Sequence, residues 1–160
     1  MKRLYAQHEA KEFRIFEDLG VYKKSRQFRK AMYGVTRRLP DFEKYETASQ
    51  IRRAAVSLTN NIAEGHGRFH YLEQLKFLFQ ARGSLQELMD DLNVCEDESY
   101  LPVPEVNALK EQAKAVQRLI SGYARYLRAR KFGSGLTVQE IADEDEFLAK
   151  LDSLFNDSTI

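Results

Sequence analysis

Turn-forming residues are scarce in this sequence. Only three prolines and eight glycines occur among 160 residues, too few to supply the turns that many short elements would need. Long helices are therefore favoured over a sheet. No segment shows the alternation of apolar and polar residues, bounded by turn signals, that is typical of strands.

Cysteine and long apolar runs are equally rare. The single cysteine, Cys95, excludes an internal disulfide and fits a reducing compartment. The first residues contain no apolar segment of signal-peptide length, and no apolar run is long enough to cross a bilayer. We therefore expect a cytoplasmic protein with no membrane contact.

Four long helical patterns account for most of the chain. Each carries apolar residues at steps of three and four, as a core-facing helix does. They run from about Phe16 to Leu39, from about Phe42 to Gly65, from about Tyr71 to Glu98, and from Pro102 or Pro104 to about Phe132. Short connections place consecutive helices antiparallel. The sequence thus predicts an all-α, up-down-up-down antiparallel four-helix bundle with an extra acidic C-terminal helix or tail.

The segment after Gly133 differs from the rest in charge. From Val138 to the end, seven acidic residues stand against one lysine, a net charge of −6, so the remainder carries +7 within a total of +1. Apolar residues recur among these acids at helical steps. We therefore divide the chain into a bundle, 1–133, and an acidic amphipathic tail, 134–160. The tail either docks weakly on its own bundle or binds a partner groove or another subunit.

A polar line runs along the second and third helical patterns, beside their apolar seams. Its members recur at steps of three and four along each helix. They are Arg53, Ser57, Asn61 and Glu64 on the second helix, and Ser84 and Glu87 on the third. If the two lines face each other, Arg53 can pair with Glu64 or Glu87, as a buried charge requires. The pattern favours an internal polar network that fixes helix register over a catalytic site.

Three motifs in this region carry a family resemblance. They are IRRA at Ile51–Ala54, SLTNNIAEG at Ser57–Gly65 and GSLQEL at Gly83–Leu88. In this order they resemble the signature of the 23S rRNA-intervening sequence protein family. The resemblance covers about Phe13 to Phe132, although Tyr22 stands where tryptophan is more usual in the family. The acidic tail lies outside it.

The resemblance implies a four-helix bundle that often assembles as a homopentameric ring. Some genes of the family lie inside intervening sequences of ribosomal RNA genes. The family is also similar to the accessory variability proteins of diversity-generating retroelements, which bind nucleic acid and a reverse transcriptase. No catalytic activity is established for the family as a group, and its motif residues look structural.

Basic residues concentrate on the first and fourth helices. They are Lys23, Lys24, Arg26, Arg29, Lys30, Arg37 and Arg38 on the first, and Arg118, Arg125, Arg128, Arg130 and Lys131 on the fourth. Since the first and last helices of the bundle are neighbours, these residues are expected to form one basic face that binds phosphates. Tyr33, Tyr123 and Tyr126 would offer stacking surfaces to unpaired bases. The alternative is a solvated face that keeps the protein soluble, with the tyrosines packed in the core.

Other chemistries are poorly supported. His66 and His70 lie four residues apart, but the glycines around them interrupt the helix that would align them on a metal. Acidic neighbours of Cys95 raise the pKa of its thiol and make it a poor nucleophile. No phosphate-binding loop follows a strand, and no spacing supports a Ser-His-Asp arrangement. We therefore expect neither an enzyme nor a cofactor or metal.

Two functions remain open. The first is a non-enzymatic, nucleic-acid-binding accessory protein, a ring-shaped homo-oligomer whose basic outer face binds RNA or DNA. The second is a protein-interaction adaptor, for example for a reverse transcriptase or a neighbouring gene product, that uses the bundle surface and the acidic tail.

Overall fold

The computed structural model describes residues 15–129. The four helices are α1 (Gly20–Thr36), α2 (Thr47–His66), α3 (Tyr71–Asp97) and α4 (Val103–Ala129), and no strand occurs between residues 15 and 129. Consecutive helices pack against each other, and α1 also packs on α4. The predicted all-α four-helix bundle is therefore confirmed. The acidic tail, the predicted end of the fourth helix, Arg130 and Lys131 lie outside the described residues.

The core is built from the apolar seams that the helical spacing predicts. The seam of α2 consists of Ile51, Ala55, Leu58 and Ile62, all fully buried. These side chains meet Phe28 and Met32 of α1, Leu85 and Leu88 of α3, and Val116 and Ile120 of α4 in one cluster. Burial of side chains of this size stabilises the fold by about 1.5–3 kcal/mol each before the entropic cost is subtracted. None of the helices within residues 15–129 is both long and apolar enough to cross a membrane.

Two helices begin later than predicted because a short 3-10 helix precedes each. Phe16–Asp18 precedes α1, and Asp41–Glu43 precedes α2. The carboxylate of Glu43 then accepts a hydrogen bond from the backbone N–H of Thr47 at 3.0 Å. This bond satisfies one of the free donors of the first turn, so α2 starts at Thr47. The predicted start at Phe42 was wrong.

Large apolar side chains are exposed at both poles of the bundle, Phe69 and Ile15 at one and Phe42, Tyr45 and Val103 at the other. The α1–α2 and α3–α4 connections meet at one pole, where Phe42 contacts Tyr100 with ring centroids 6.3 Å apart. Phe42 is 71% exposed there, Tyr45 78% and Val103 51%. We call this end the aromatic pole. The α2–α3 connection, the start of α1 and the described end of α4 lie at the opposite pole.

Candidate functional site

Part of the polar line forms a clasp between α2 and α3. The hydroxyl oxygens of Ser84 and Ser57 are hydrogen-bonded at 2.8 Å. Asn61 donates from Nδ2 to the Ser57 carbonyl at 2.9 Å and lies 3.1 Å from the Ser57 hydroxyl. Ser84 is buried and the other two are half-buried. The structure thus brings these three residues together: the Ser57–Ser84 hydrogen bond joins α2 to α3, and Asn61 supports Ser57 from within α2.

The remaining members of the polar line are exposed. Arg53 donates to the Ser49 hydroxyl at 3.3 Å, and Arg68 pairs with Glu64 at 2.6 Å. Glu87 also faces solvent. The expected pairing of Arg53 with Glu64 or Glu87 is therefore not the arrangement found. The reason is rotational: residues four apart are about 40° out of line on a helix, so a line of this length leaves the interface.

Gly65 explains how closely α2 and α3 approach near the end of the clasp. A Cβ atom built on Gly65 would lie 2.8 Å from Cβ of Phe77 and 3.3 Å from the carbonyl oxygen of Gln74. Ser57, Asn61 and Gly65 follow each other at four-residue steps on the side of α2 that faces α3. The SLTNNIAEG motif is therefore a packing surface for α3.

The cations of α1 and of the turn after it contact different neighbours. Arg29 of α1 donates to the Thr59 hydroxyl of α2 at 2.8 Å, whereas Arg38, two residues beyond the end of α1, pairs with Glu105 of α4. Lys30 and Arg37 line one pocket with Arg29, and Lys23 and Arg26 line another with Lys30. Lys24 is exposed.

The arginines of α4 are not brought together with those of α1. Glu105 marks the side of α4 that faces α1. Arg118, Arg125 and Arg128 lie about 140–160° around the helix from Glu105. Arg118 is close enough to Glu111 to help Lys114 lower the pKa of that carboxyl. The described arginines of α4 therefore lie on a different side of that helix from the one that meets Arg38, and the other two predicted members of the basic face, Arg130 and Lys131, lie outside the described residues.

A basic groove lies instead between α1 and α2. It consists of two adjoining pockets of about 500 and 360 Å³ that share Tyr33 and Val56. The groove is lined by Arg29, Lys30, Tyr33, Arg37, Arg52, Arg53, Val56, Ser57, Asn60 and Asn61. Five of these side chains are cationic and none is acidic. We call these ten residues the α1–α2 groove.

Neutral oxygens accept hydrogen bonds from three of the four arginines of the groove. Arg29 donates to a threonine hydroxyl, Arg53 to a serine hydroxyl, and Arg52 to the backbone carbonyl of Lys44 at 2.9 Å. The ion pairs of Arg38, Arg68, Lys110 and Lys114 with glutamates all lie outside the groove. The positive charge of the groove arginines is thus oriented by neutral partners and stays available to an anion.

Sequence reasoning assigned Arg53 and Asn60 to the polar line of the second helix and did not single out Arg52 or Val56. The adjacent arginines at 52 and 53 could have indicated the groove, because two basic residues that follow the seam residue Ile51 lie next to the buried side of the helix. Which side it flanks depends on the rotation of α2 against α1. Only the packed helices determine that rotation.

Tyr33 is the one of the three expected stacking tyrosines that lies among groove cations. It is partly buried and packs against the core with one side on the groove. Tyr123 and Tyr126 stack on each other with centroids 6.0 Å apart, on α4. The hydroxyl of Tyr123 lies 3.5 Å from Nδ1 of His66 near the opposite pole.

Acidic residues concentrate on the far side of the bundle. α1 holds five cationic and no acidic residues, whereas α3 holds six acidic and two cationic residues. The helices α1 and α3 are diagonal partners, since each packs on α2 and α4. The positive potential of the α1–α2 groove is therefore on the side of the molecule away from most of the acidic side chains.

Two buried groups on α3 titrate abnormally. Burial raises the pKa of the Cys95 thiol to about 11, and the Asp91 and Glu43 carboxylates add to the rise. The direction predicted for Cys95 is confirmed, but burial is the main cause, not the neighbouring acids in sequence. Burial also raises the pKa of Asp91 to about 6, with contributions from Glu87 and Asp90. Within residues 15–129, no group of three or more His, Cys, Asp and Glu side chains could hold a metal ion.

Comparison with known proteins agrees with the motifs. No curated protein matches the chain. The model of the family described as 23S rRNA-intervening sequence protein matches residues 17–122. That span contains α1, α2 and α3 and most of α4, with the clasp and the α1–α2 groove inside it. The chain therefore belongs to the 23S rRNA-intervening sequence protein family.

Proposed function

We propose that this protein is a non-enzymatic accessory protein that binds RNA or DNA through the α1–α2 groove. The observation that carries the proposal is a groove lined by five cations and no carboxylate, in which Arg29, Arg52 and Arg53 hydrogen-bond to neutral oxygens. Such cations exchange bound counterions for phosphates, which is the main source of affinity for nucleic acid. A cytoplasmic site of action is part of the proposal, as the buried free thiol of Cys95 suits a reducing compartment.

An extended polyanion fits the groove better than a small one. The two pockets adjoin each other through Tyr33 and Val56, and a further pocket beyond Lys30 adds the cations Lys23 and Arg26 together with the carboxylates of Glu17 and Asp18. A single phosphate would occupy one pocket and leave the cations of the other pocket uncontacted. A chain of phosphates can contact both pockets in succession.

The assembly that we propose is a homopentameric ring, as the family resemblance implies. We expect light scattering on the purified protein to give about five times the chain mass of 18.6 kDa. A monomer mass at micromolar concentration would contradict the ring.

The test of nucleic-acid binding compares two double variants with equal charge change. Arg52→Gln/Arg53→Gln removes two groove cations, and Arg118→Gln/Arg125→Gln removes two from the outer side of α4. Labelled RNA and DNA are titrated at low and moderate salt by fluorescence anisotropy. We expect the groove variant to bind more weakly and its slope of log K against log salt to be shallower by about 1.4 for a single strand.

The α4 variant is the matched control and should bind as the wild type does. Absence of wild-type binding at low salt would contradict the proposed function. Equal losses in both variants would show that affinity depends on net charge and would remove the groove from the proposal.

A second candidate function is the adaptor for a reverse transcriptase or a neighbouring gene product. The aromatic pole supports it, since three large apolar side chains, Phe42, Tyr45 and Val103, are exposed at that end and could contact a partner. Deleting the residues after Gly133 and, separately, replacing Phe42 and Tyr45 by serine tests it against the product of an adjacent gene. Loss of that partner with unchanged RNA affinity would favour the adaptor.

A further inference from the structure

Tyr33 occupies a central position in the α1–α2 groove. It lines both pockets together with Val56, so an aromatic ring and an aliphatic side chain form an apolar floor. Lys30 and Arg37 lie on one side of this floor, and Arg52 and Arg53 lie on the other. An apolar surface between cations adds nothing to the binding of phosphates. It can, however, stack against the flat face of an unpaired base.

A duplex cannot bring its bases to this floor. Each helix with its side chains is roughly 10–12 Å across, so the α1–α2 pair is wider than the major groove of about 12 Å. In a duplex the bases are stacked inside, and only phosphates would touch the rims of the α1–α2 groove. In a single strand the bases are free to turn toward the protein.

We infer that the α1–α2 groove prefers single-stranded nucleic acid and seats one unpaired base on Tyr33, an inference that rests on the proposed function. The base stacks against the ring with Val56 beneath it. Arg52 and Arg53 contact the phosphate on one side of that base, and Lys30 and Arg37 contact the phosphate on the other. The exposed amide of Asn60 offers one donor group and one acceptor to the base edge.

The first experiment uses the absence of tryptophan from the chain. Tyr33→Trp introduces a single indole at the proposed base site, and Tyr45→Trp introduces one at the exposed aromatic pole as the matched control. Each full-length variant is titrated with a single-stranded 20-nucleotide oligonucleotide. We expect stacking to quench the emission of the Tyr33→Trp variant and to leave that of the Tyr45→Trp variant unchanged. Binding without quenching at position 33 would overturn the inference.

The second experiment compares affinities for that oligonucleotide and for its duplex at one salt concentration. Tyr33→Leu removes the ring but keeps apolar bulk, whereas Tyr33→Phe keeps the ring. We expect Tyr33→Leu to weaken single-strand binding roughly tenfold, with no change for the duplex and no change in either affinity for Tyr33→Phe. Circular-dichroism melting confirms that each variant is folded at the assay temperature.

The two proposals fail differently. A duplex that binds as tightly as the single strand, or a Tyr33→Leu variant with wild-type single-strand affinity, overturns the base site and leaves phosphate binding in place. If neither oligonucleotide binds the wild type at low salt, the proposed function fails and the inference fails with it.

Discussion

At the scale of single residues, Gly65 is the position where α2 comes closest to α3. The Phe77 side chain and the Gln74 carbonyl occupy the space that any larger residue needs. Gly83, in the middle of α3, faces solvent, and a methyl group added there would have nothing within 4 Å. The two glycines of the family motifs therefore have opposite environments.

Gly65→Ala should destabilise the protein and Gly83→Ala should not. The added methyl group at position 65 must push α3 away, at a cost of roughly 1–3 kcal/mol in the free energy of unfolding. At position 83 the alanine should stabilise the exposed helix by about 0.5–1 kcal/mol. Urea unfolding measures both. Equal midpoints for the two variants would contradict the close approach at Gly65.

Asp91 is a buried carboxyl group without a compensating cation. It is 5% exposed, and its Oδ2 atom has no hydrogen-bond partner among the described residues. Its pKa is about 6 in the folded protein instead of the ordinary 3.8. Between these values the folded protein keeps a proton that the unfolded chain has released. The free energy of unfolding therefore falls as pH rises from about 4 to about 6 and stays lowered above that range.

Asp91→Asn should stabilise the protein at neutral pH but not in acid. At pH 7.5 it removes an ionised buried carboxylate and should raise the free energy of unfolding by about 1–2 kcal/mol. At pH 4.5 the native carboxyl is already neutral, so the gain should be much smaller. Thermal melts at both pH values measure the difference. Asp90→Asn, on the exposed side of α3, is the control, and an equal gain at both pH values for Asp91→Asn would contradict the burial argument.

The residue scale also shows the limit of reading a polar line from spacing. Ser57, Asn61 and Ser84 were predicted in the network and do meet. Arg53 and Glu87 had the same periodicity and are exposed. Residues four apart differ by about 40° in direction around a helix, so spacing alone does not decide whether a residue at the edge of an interface is buried or exposed. Small residues could be placed correctly because only they fit where helices touch.

At the scale of elements, the α2–α3 pair is held by the Ser57–Ser84 hydrogen bond in addition to apolar packing. The bond lies at the border of the buried seam. If one serine were removed, the hydroxyl of the other would lose its partner on the facing helix. The contribution of this hydrogen bond to stability is the coupling free energy between the two serines. It can be measured with alanine variants, because alanine does not weaken the helices themselves.

A double-mutant cycle of Ser57→Ala and Ser84→Ala should reveal this coupling. Each single variant leaves one hydroxyl without its inter-helix partner, and the double variant leaves none. We expect the double variant to lose less stability than the sum of the single losses, with a coupling of about 0.5–1.5 kcal/mol. Chemical unfolding of the four proteins gives the value. Strict additivity would mean that the two hydroxyls do not interact in solution.

Helix existence was predictable and helix rotation was not. All four helices were expected from the apolar seams, whose residues are buried. The start of α2 was missed by five residues because Phe42 looks like a seam residue but is exposed, and Glu43 caps the helix at Thr47. Sequence indicates which helices adjoin but not how each is turned about its axis, so the side of α4 on which Arg118, Arg125 and Arg128 lie could not be predicted.

At the scale of the whole molecule, charge is divided between two ends of the sequence. The bundle region carries +7 and the segment 134–160 carries −6. That segment lies outside the described residues, but its charge acts on any polyanion that approaches the bundle. Seven tethered acidic side chains lower the positive potential that an approaching polyanion experiences.

Neutralising the seven acidic residues after Val138, as Asn and Gln in the full-length chain, should therefore strengthen nucleic-acid binding. We expect a several-fold gain in affinity at low salt that disappears in high salt, because ions screen the tethered charges. Anisotropy titrations over a salt series measure it. A chain ending at Gly133 is the companion variant and should show a similar gain. Unchanged affinity of both at low salt would show that the segment does not oppose binding.

The start of α1 and the described end of α4 lie at the same pole of the bundle, which matters when the protein is attached to a surface. α1 begins, and the described part of α4 ends, at the pole opposite Phe42 and Tyr45. The 27 residues of α4 span about 40 Å between the two poles. A short linker joined directly to the start of α1 or to the described end of α4 would leave from that pole. Protein immobilised through such a linker should present Phe42 and Tyr45 outward.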